Sequence, residues 1–154
     1  LMQDPNIGND WITQKLDHFD EKNGKTWKQQ YFYNLNTAKE GSNVNFLYLS
    51  GEQTAYDGMV SSGSYVGYAE MLGAPIYALE HRFYGDSHPT EDTSLSNLQY
   101  FSSRQAVEDI AEFIRLKNEE KGGEQKWIVV GGSYAGNLAA WSRLKHPDLI
   151  AGSL

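Results

Sequence analysis

One stretch of the sequence, KWIVVGGSYAGNLAAWSRLKHP at residues 126–147, constrains the fold more than any other. Residues 128–130 form a short apolar run that predicts a buried strand, and Tyr134–Lys145 has the hydrophobic pattern of a helix. Two glycines and Ser133 lie between them. The sequence therefore predicts a buried strand, a tight turn that carries a serine, and a helix packed close to the strand.

A serine on such a turn is typical of the nucleophile elbow of the α/β-hydrolases. The turn strains the backbone of Ser133, so the residues two before and two after it must be small; here they are Gly131 and Ala135. The usual pattern has glycine at both places, and Ala135 departs from it by one methyl group. The elbow would also aim the backbone N–H of Tyr134 at the oxyanion of an acyl transfer, where one such donor is worth roughly 3 kcal/mol. The simpler interpretation is a Gly-Gly-Ser turn that only joins a strand to a helix.

Composition narrows the class of protein and the partners that we expect. A chain of 154 residues is one domain or part of one. Its net charge of −7 argues against binding to nucleic acid or to anionic membranes. It has no cysteine and its four histidines lack metal-ligand spacing, so we expect no metal and no cofactor. The polar N-terminus contains no signal-peptide core, and no apolar run is long enough to span a membrane.

Strands and helices alternate along the rest of the chain. The patterns predict strands at 27–34, 44–49, 75–79 and 128–130, helices at 65–72, 103–117 and 134–145, loops at 55–64 and 90–100, and the start of a strand at 150. Ser64 is expected to cap the first helix and Gly73 to end it, and Ser102 or Ser103 to cap the second. Residues 1–10 are interpreted as a loose arm, within an N-terminal arm over 1–25 that precedes a partial α/β-hydrolase domain over 26–154.

This alternation predicts the α/β class, with a mostly parallel sheet and crossover helices, as in the N-terminal portion of an α/β-hydrolase fold that is truncated after the nucleophile helix. Ligands of such sheets bind beyond the carboxyl ends of the strands. Three polar segments follow strands there, at residues 50–53, 80–87 and 132–134. We therefore expect these three segments to converge on one site.

Several motifs together resemble one family of peptidases. The sequences QKLDHF at 14–19, EHRFYG at 80–85 and GGSYAGNLAAW at 131–141 are similar to the N-terminal part of the serine carboxypeptidase-like family that includes prolyl carboxypeptidase, dipeptidyl peptidase II and the thymus-specific serine protease. The resemblance runs from about Gln14 to Leu154, and the RFYG at 82–85 is most similar to the thymus-specific branch.

The resemblance implies roles for particular residues. It implies Ser133 as the nucleophile, with the Tyr134 amide and the loop at Gly51 as the oxyanion donors; that loop is usually GGEG in the family and reads SGEQ here. It places Glu52, His81 and Arg82 near the active centre. We interpret His81 and Arg82 as supporting groups that do not react themselves. For Glu52 we prefer a hydrogen bond within the loop, and the second interpretation is an anchor for a substrate amine.

The resemblance also implies an activity and a setting. The family implies a serine-type exopeptidase, similar to the dipeptidyl peptidases or prolyl carboxypeptidases, that acts on peptides through an acyl-enzyme. It implies a secreted or lysosomal protein, and a homodimer is a possible assembly of the full-length protein.

The rest of a catalytic triad is not apparent in the sequence. In α/β-hydrolases the acid and then the histidine follow the serine. His146 follows Ser133 by 13 positions, on the predicted helix, which is roughly 20 Å at 1.5 Å per residue. A general base must lie within about 3 Å. The other histidines precede the serine: His18, His81 and His88. We therefore expect a fragment that lacks the triad acid and base and is inactive alone.

Two alternatives remain open at this point. The chain could instead be a non-catalytic, truncated product that acts as a binding or regulatory half-domain, with an exposed strand edge that favours pairing. It could also belong to a lipase or esterase, because the elbow alone does not define the acyl substrate.

Overall fold

A computed structural model describes residues 3–154. Within this range six strands form one sheet, and three α-helices and two short 3-10 helices connect them. The strands are β1 (Ile7–Lys15), β2 (Thr26–Asn34), β3 (Val44–Leu49), β4 (Ile76–Leu79), β5 (Lys126–Val130) and β6 (Ile150–Ser153). The helices are α1 (Ser64–Leu72), α2 (Ser103–Glu120) and α3 (Tyr134–Lys145), with 3-10 helices at Asp57–Val60 and Leu98–Tyr100.

The strand order in the sheet is β1-β2-β4-β3-β5-β6. Strands β1 and β2 form an antiparallel pair, and β2 is antiparallel to β4. Strands β4, β3, β5 and β6 are parallel to one another, with α1, α2 and α3 as the successive connections. The predicted α/β class with a mostly parallel sheet is thereby confirmed.

Both faces of the sheet are covered, and the helices divide the core in two. Helices α2 and α3 pack on one face around buried Phe113, Trp127 and Leu138. Helix α1 and the first 3-10 helix pack on the other face around Met59, Val60, Ala69 and Ile76. Because β3, β4 and β5 are parallel, the segments that follow them begin at the same edge of the sheet.

The loose arm predicted for residues 1–10 is wrong from Ile7 onward. Strand β1 is hydrogen-bonded to β2 along its whole length, from Ile7 opposite Asn34 to Lys15 opposite Thr26. The prediction failed because one of the inward residues is a glutamine: Gln14 is only 1% exposed, and its amide donates to Gln29 Oε1 and to the Asp109 carbonyl. Leu1 and Met2 lie outside the described residues, and the domain boundary at residue 25 stays a prediction.

Two helix ends agree with the prediction and two differ, one of them at the end of α2, which continues to Glu120, three residues past the predicted end. Ser64 is the first residue of α1 and not its cap, because Gly63 occupies the N-cap position and offers no side chain. Gly73 ends α1 in the left-handed conformation, as predicted. Ser102 caps α2 by accepting a hydrogen bond from the Gln105 N–H. The predicted loop at 55–64 contains the 3-10 helix Asp57–Val60, whose apolar residues are buried.

Candidate active site

Ser133 lies on the turn between β5 and α3 in a strained backbone conformation. Its φ is 54° and its ψ is −128°. A side chain rarely adopts a positive φ, and such residues cost of order 1–3 kcal/mol and cluster at functional sites. Ser133 is exposed, and its side chain makes no capping hydrogen bond to α3. The turn therefore presents an uncommitted serine hydroxyl to solvent.

The packing of β5 against α3 explains the small residues around Ser133. A β-carbon at Gly131 would lie 2.2 Å from the Ala135 carbonyl oxygen, so glycine is required there. Ala135 is 3% exposed, and its methyl group fits against the backbone of Gly51. A β-carbon at Gly51 would come within 3.1 Å of that methyl group, and Gly51 has a φ of 64°. The extra methyl of Ala135 is therefore accommodated by the glycine opposite it.

Two of the three polar segments line one groove. Its walls are residues 50–53, which follow β3, and the elbow residues Gly132, Ser133 and Ala135. Glu52 is exposed in this groove and has no hydrogen-bonding partner among residues 3–154. The predicted juxtaposition of residues 50–53 with the serine turn is present.

The third segment, residues 80–87, lies behind this groove and contacts it through His81. The His81 ring is buried and lies 2.9 Å from the Tyr134 hydroxyl, measured from Nε2. Its Nδ1 lies 2.7 Å from the Arg82 carbonyl oxygen, and its main-chain N–H donates to Ser50 Oγ. Burial lowers the pKa of His81, against smaller opposing effects that include the Arg82 carbonyl, Asp109 and Glu52.

Arg82 points away from the groove into a buried ion pair. Its Nε and Nη2 donate to the two carboxylate oxygens of Asp109 at 2.7 and 2.8 Å. The guanidinium also donates to the carbonyls of Lys15, Leu16 and Tyr100. His18 donates to Asp109 Oδ1 at 2.7 Å. This Arg82 cluster joins the end of β1, the segment after β4, and α2, and it makes no hydrogen bond to Ser133 in the part of the chain described.

Glu80 is a buried residue that sequence reasoning did not single out. Its carboxylate accepts hydrogen bonds from the N–H groups of Ala55 and Asp86 and from the Ser87 hydroxyl, at 2.7–3.0 Å. It holds a compact loop in which Phe83 has a φ of 70°. The sequence signal for this role was a charged residue directly after the apolar strand β4.

The histidines other than His81 have partners away from the serine. His18 bonds to Asp109, His88 to the Gly85 carbonyl, and His146 to Glu108 Oε1 at 3.0 Å. Within residues 3–154, no histidine forms a hydrogen bond with Ser133. His146 lies at the C-terminal end of α3, as its spacing from the serine predicted.

A strained serine between a parallel strand and a helix, on a sheet of this order, defines the class as an α/β-hydrolase fold. Residues 14–154 match the family described as serine carboxypeptidase S28, and the chain belongs to this family of serine peptidases. The resemblance read from the sequence motifs is thereby confirmed.

Relatives of known name cover nearly all of the chain. A protein of Caenorhabditis elegans is 42% identical over 97% of this chain and 28% of its own length. The human thymus-specific serine protease is 38% identical, over 97% of the chain and 29% of its own length. Human lysosomal Pro-X carboxypeptidase is 36% identical, over 94% of the chain and 30% of its own length. The chain therefore spans less than a third of the length of each relative.

Solved structures with the same fold are distant in sequence. A structure from a study of two prolyl endopeptidases has a TM-score of 0.63 and 14% identity, over 96% of this chain and 21% of its own. An α/β fold family hydrolase from Bacillus anthracis str. Sterne has a TM-score of 0.56 and 15% identity, over 93% of this chain and 42% of its own. At such identities the similarity establishes the fold alone.

Residues 3–154 contain neither a membrane-spanning helix nor a cluster of metal-ligating side chains. Among the described residues, none of the helices combines the length and apolar character needed to cross a bilayer. Between Gln3 and Leu154 there is also no group of three or more metal-ligating histidines and acidic residues.

Proposed function

We propose that Ser133 is the nucleophile of a serine-type peptidase that works through an acyl-enzyme. The observation that carries this proposal is the strained, exposed position of Ser133 at the mouth of the groove. In the proposed reaction Ser133 Oγ bonds to the scissile carbonyl carbon and its proton passes to a base. The carbonyl oxygen becomes an oxyanion that accepts hydrogen bonds from the Tyr134 and Gly51 N–H groups. Loss of the amine leaves an acyl-serine ester, which water hydrolyses.

The acid and the base of the triad are proposed to lie outside these 154 residues, as the chain order of α/β-hydrolases requires. Two findings support this. The histidines of the described region are engaged with other partners, and the relatives are more than three times as long as the matched region. Residues 1–154 alone are accordingly expected to be inactive.

The substrate is proposed to be a peptide cleaved near one of its ends, by a dipeptidyl-peptidase or prolyl-carboxypeptidase type of reaction. Membership of the serine carboxypeptidase family supports this choice. The same relatives, one of them named as lysosomal, support a lysosomal or secreted location. A homodimer of the full-length protein is part of the same proposal. No nucleic acid or membrane partner is proposed, in line with the charge of −7.

The proposal is tested on the full-length gene product with a fluorophosphonate probe and proline-containing peptides. We expect the probe to label the tryptic peptide 127–143, which contains Ser133, and Ser133→Ala to abolish both labelling and turnover. Ser62→Ala, which changes an exposed serine on the α1 side of the sheet, serves as the control and should retain both. Retained turnover in Ser133→Ala would refute the proposal. Cleavage of aliphatic esters without cleavage of peptides would indicate an esterase instead.

A further inference from the structure

One residue contacts both sides of the groove that holds Ser133. The His81 ring contacts Tyr134, and the His81 main chain contacts Ser50, the residue directly before Gly51. Tyr134 and Gly51 are the two proposed oxyanion donors. His81 therefore contacts Tyr134, which carries one donor, and Ser50, which is next in sequence to the other donor residue, Gly51.

The direction of each hydrogen bond follows from chemistry. The Arg82 carbonyl oxygen can only accept, so His81 Nδ1 carries a proton and donates to it. In a neutral imidazole Nε2 is then the acceptor, and the Tyr134 hydroxyl is the donor. Burial favours the neutral form of both side chains, because it lowers the pKa of His81 and raises the pKa of Tyr134 to about 12.

Aromatic side chains hold the imidazole in this orientation. Tyr84 and Phe101 lie edge-on to the His81 ring, with centroids 5.4 and 6.0 Å away. The Tyr134 ring lies 5.5 Å away on a third side. Because the ring is enclosed and bonded at both nitrogens, it is a rigid anchor for the Tyr134 hydroxyl.

The contact with His81 adds to the hold of α3 on Tyr134, whose N–H shares a peptide plane with the Ser133 carbonyl, and that carbonyl accepts a hydrogen bond from the Asn137 N–H at 3.2 Å. Tyr134 is the first residue of α3 and follows the strained Ser133, which does not cap the helix through its side chain. The direction of the Tyr134 N–H therefore depends in part on how the rest of Tyr134 is held. Loss of an oxyanion donor costs 10²–10³-fold in kcat, so a misdirected N–H should cost an appreciable part of that.

We propose that His81 is a positioning residue, whose ring orients the Tyr134 oxyanion donor through the Tyr134 hydroxyl, while its main chain holds the Ser50 hydroxyl next to Gly51. This inference rests on the proposed serine peptidase function. It assigns His81 a role through its contact with Tyr134 and not through contact with the reacting atoms. It also gives the Tyr134 side chain a task separate from that of its amide.

The test uses Tyr134→Phe, His81→Gln and the double variant in the full-length gene product. Tyr134→Phe removes only the hydroxyl, so the amide and the ring remain. We expect kcat to fall by about 10-fold or more with KM within about twofold, and the affinity for a peptide aldehyde or boronate that forms a tetrahedral adduct to fall in parallel. The double variant should lose no more than the worse single variant, because both act through one contact. Tyr68→Phe, at an exposed tyrosine on α1, is the matched control and should leave kcat unchanged.

The outcomes separate this inference from the function on which it rests. A wild-type protein without probe label on Ser133 and without peptide turnover refutes the proposed function itself. Labelled, active wild type with a Tyr134→Phe variant within twofold in kcat refutes the positioning role alone. Losses in kcat that multiply in the double variant also refute it, since the two residues would then act independently.

Discussion

The serine turn and the Arg82 cluster lie at the same edge of the sheet, yet they differ in almost every physical respect. Ser133 is exposed, has a positive φ and makes no capping hydrogen bond. Arg82 and Asp109 are almost fully buried, and their charged atoms are saturated by ion pairing and by carbonyl acceptors. The charged groups of the Arg82 cluster are therefore all paired, whereas the serine turn carries an uncommitted polar group.

The difference shows how a strained turn persists in a chain of this size. A residue in an unfavourable conformation survives only if its surroundings determine it. Here the buried Arg82 cluster holds the segment after β4, and His81, next in sequence to Arg82, carries that rigidity to Tyr134. A well-bonded buried region thus supports an exposed region that is free to react. Substitutions in each region should therefore have different consequences for stability and for the reactivity of Ser133.

Arg82→Met should cause the largest loss of stability. Among residues 3–154, it leaves the His18 ring as the one remaining side-chain partner of the buried Asp109 carboxylate, and breaking a buried pair in this way costs about 3–5 kcal/mol. Thermal or urea unfolding of the full-length protein measures the change. Arg115→Met is the matched control, because its pair with Glu112 is exposed and 3.5 Å apart and should change stability by less than about 1 kcal/mol. Equal losses of stability in Arg82→Met and Arg115→Met would contradict the view that the buried ion pair matters more than the exposed one.

Gly131→Ala should disturb the serine turn more than its single methyl group suggests. The added carbon would meet the Ala135 carbonyl at 2.2 Å, which is backbone and cannot rotate away. We expect a loss of about 1–3 kcal/mol and a loss of labelling at Ser133. Gly123→Ala, where no atom lies within 4 Å, is the control that should keep full labelling. Normal labelling in both variants would show that Ser133 stays accessible to the probe when Gly131 and Ala135 are pushed apart.

Ser133→Gly should stabilise the protein while it abolishes turnover. Glycine removes the strain of the positive φ, and after its own entropic cost the net gain is about 1 kcal/mol. Ser133→Ala keeps a β-carbon and the strain, so it should be inactive without being stabilised. The two inactive variants therefore differ only in melting temperature. Identical melting temperatures would indicate that the turn stores no strain.

The stability of the folded protein should fall as the pH drops below about 6.5, the ordinary pKa of histidine, with His81 as one source. Its pKa is lowered by burial, so below that pH the unfolded state binds more protons than the folded state, and stability decreases with decreasing pH. Melting temperatures between pH 5 and 7.5 measure this slope. The slope should be smaller in His81→Gln, which cannot be protonated. An unchanged slope would mean that His81 does not titrate differently in the two states.

Elements that depend on neighbouring residues could be predicted from the amino-acid sequence. Apolar runs and helical spacing predicted β3 and α3 with the bounds observed, and the small residues around Ser133 predicted the turn. Motifs at 14–19, 80–85 and 131–141 were sufficient to indicate the family. These features are local because the spacing of hydrophobic residues and the steric limits of a tight turn are properties of short stretches of chain.

Contacts between polar residues that are distant in sequence became evident in the folded chain. His81 and Tyr134 are 53 positions apart, and Gln14 and Asp109 are 95 apart. Strand β1 was missed for the same reason, because the amide nitrogen of the inward Gln14 donates to Gln29 and Asp109, partners that no local pattern reveals. A buried polar group is stable only with its hydrogen-bonding partners in place, and these partners come from distant parts of the chain. The positioning role proposed for His81 therefore required the folded chain.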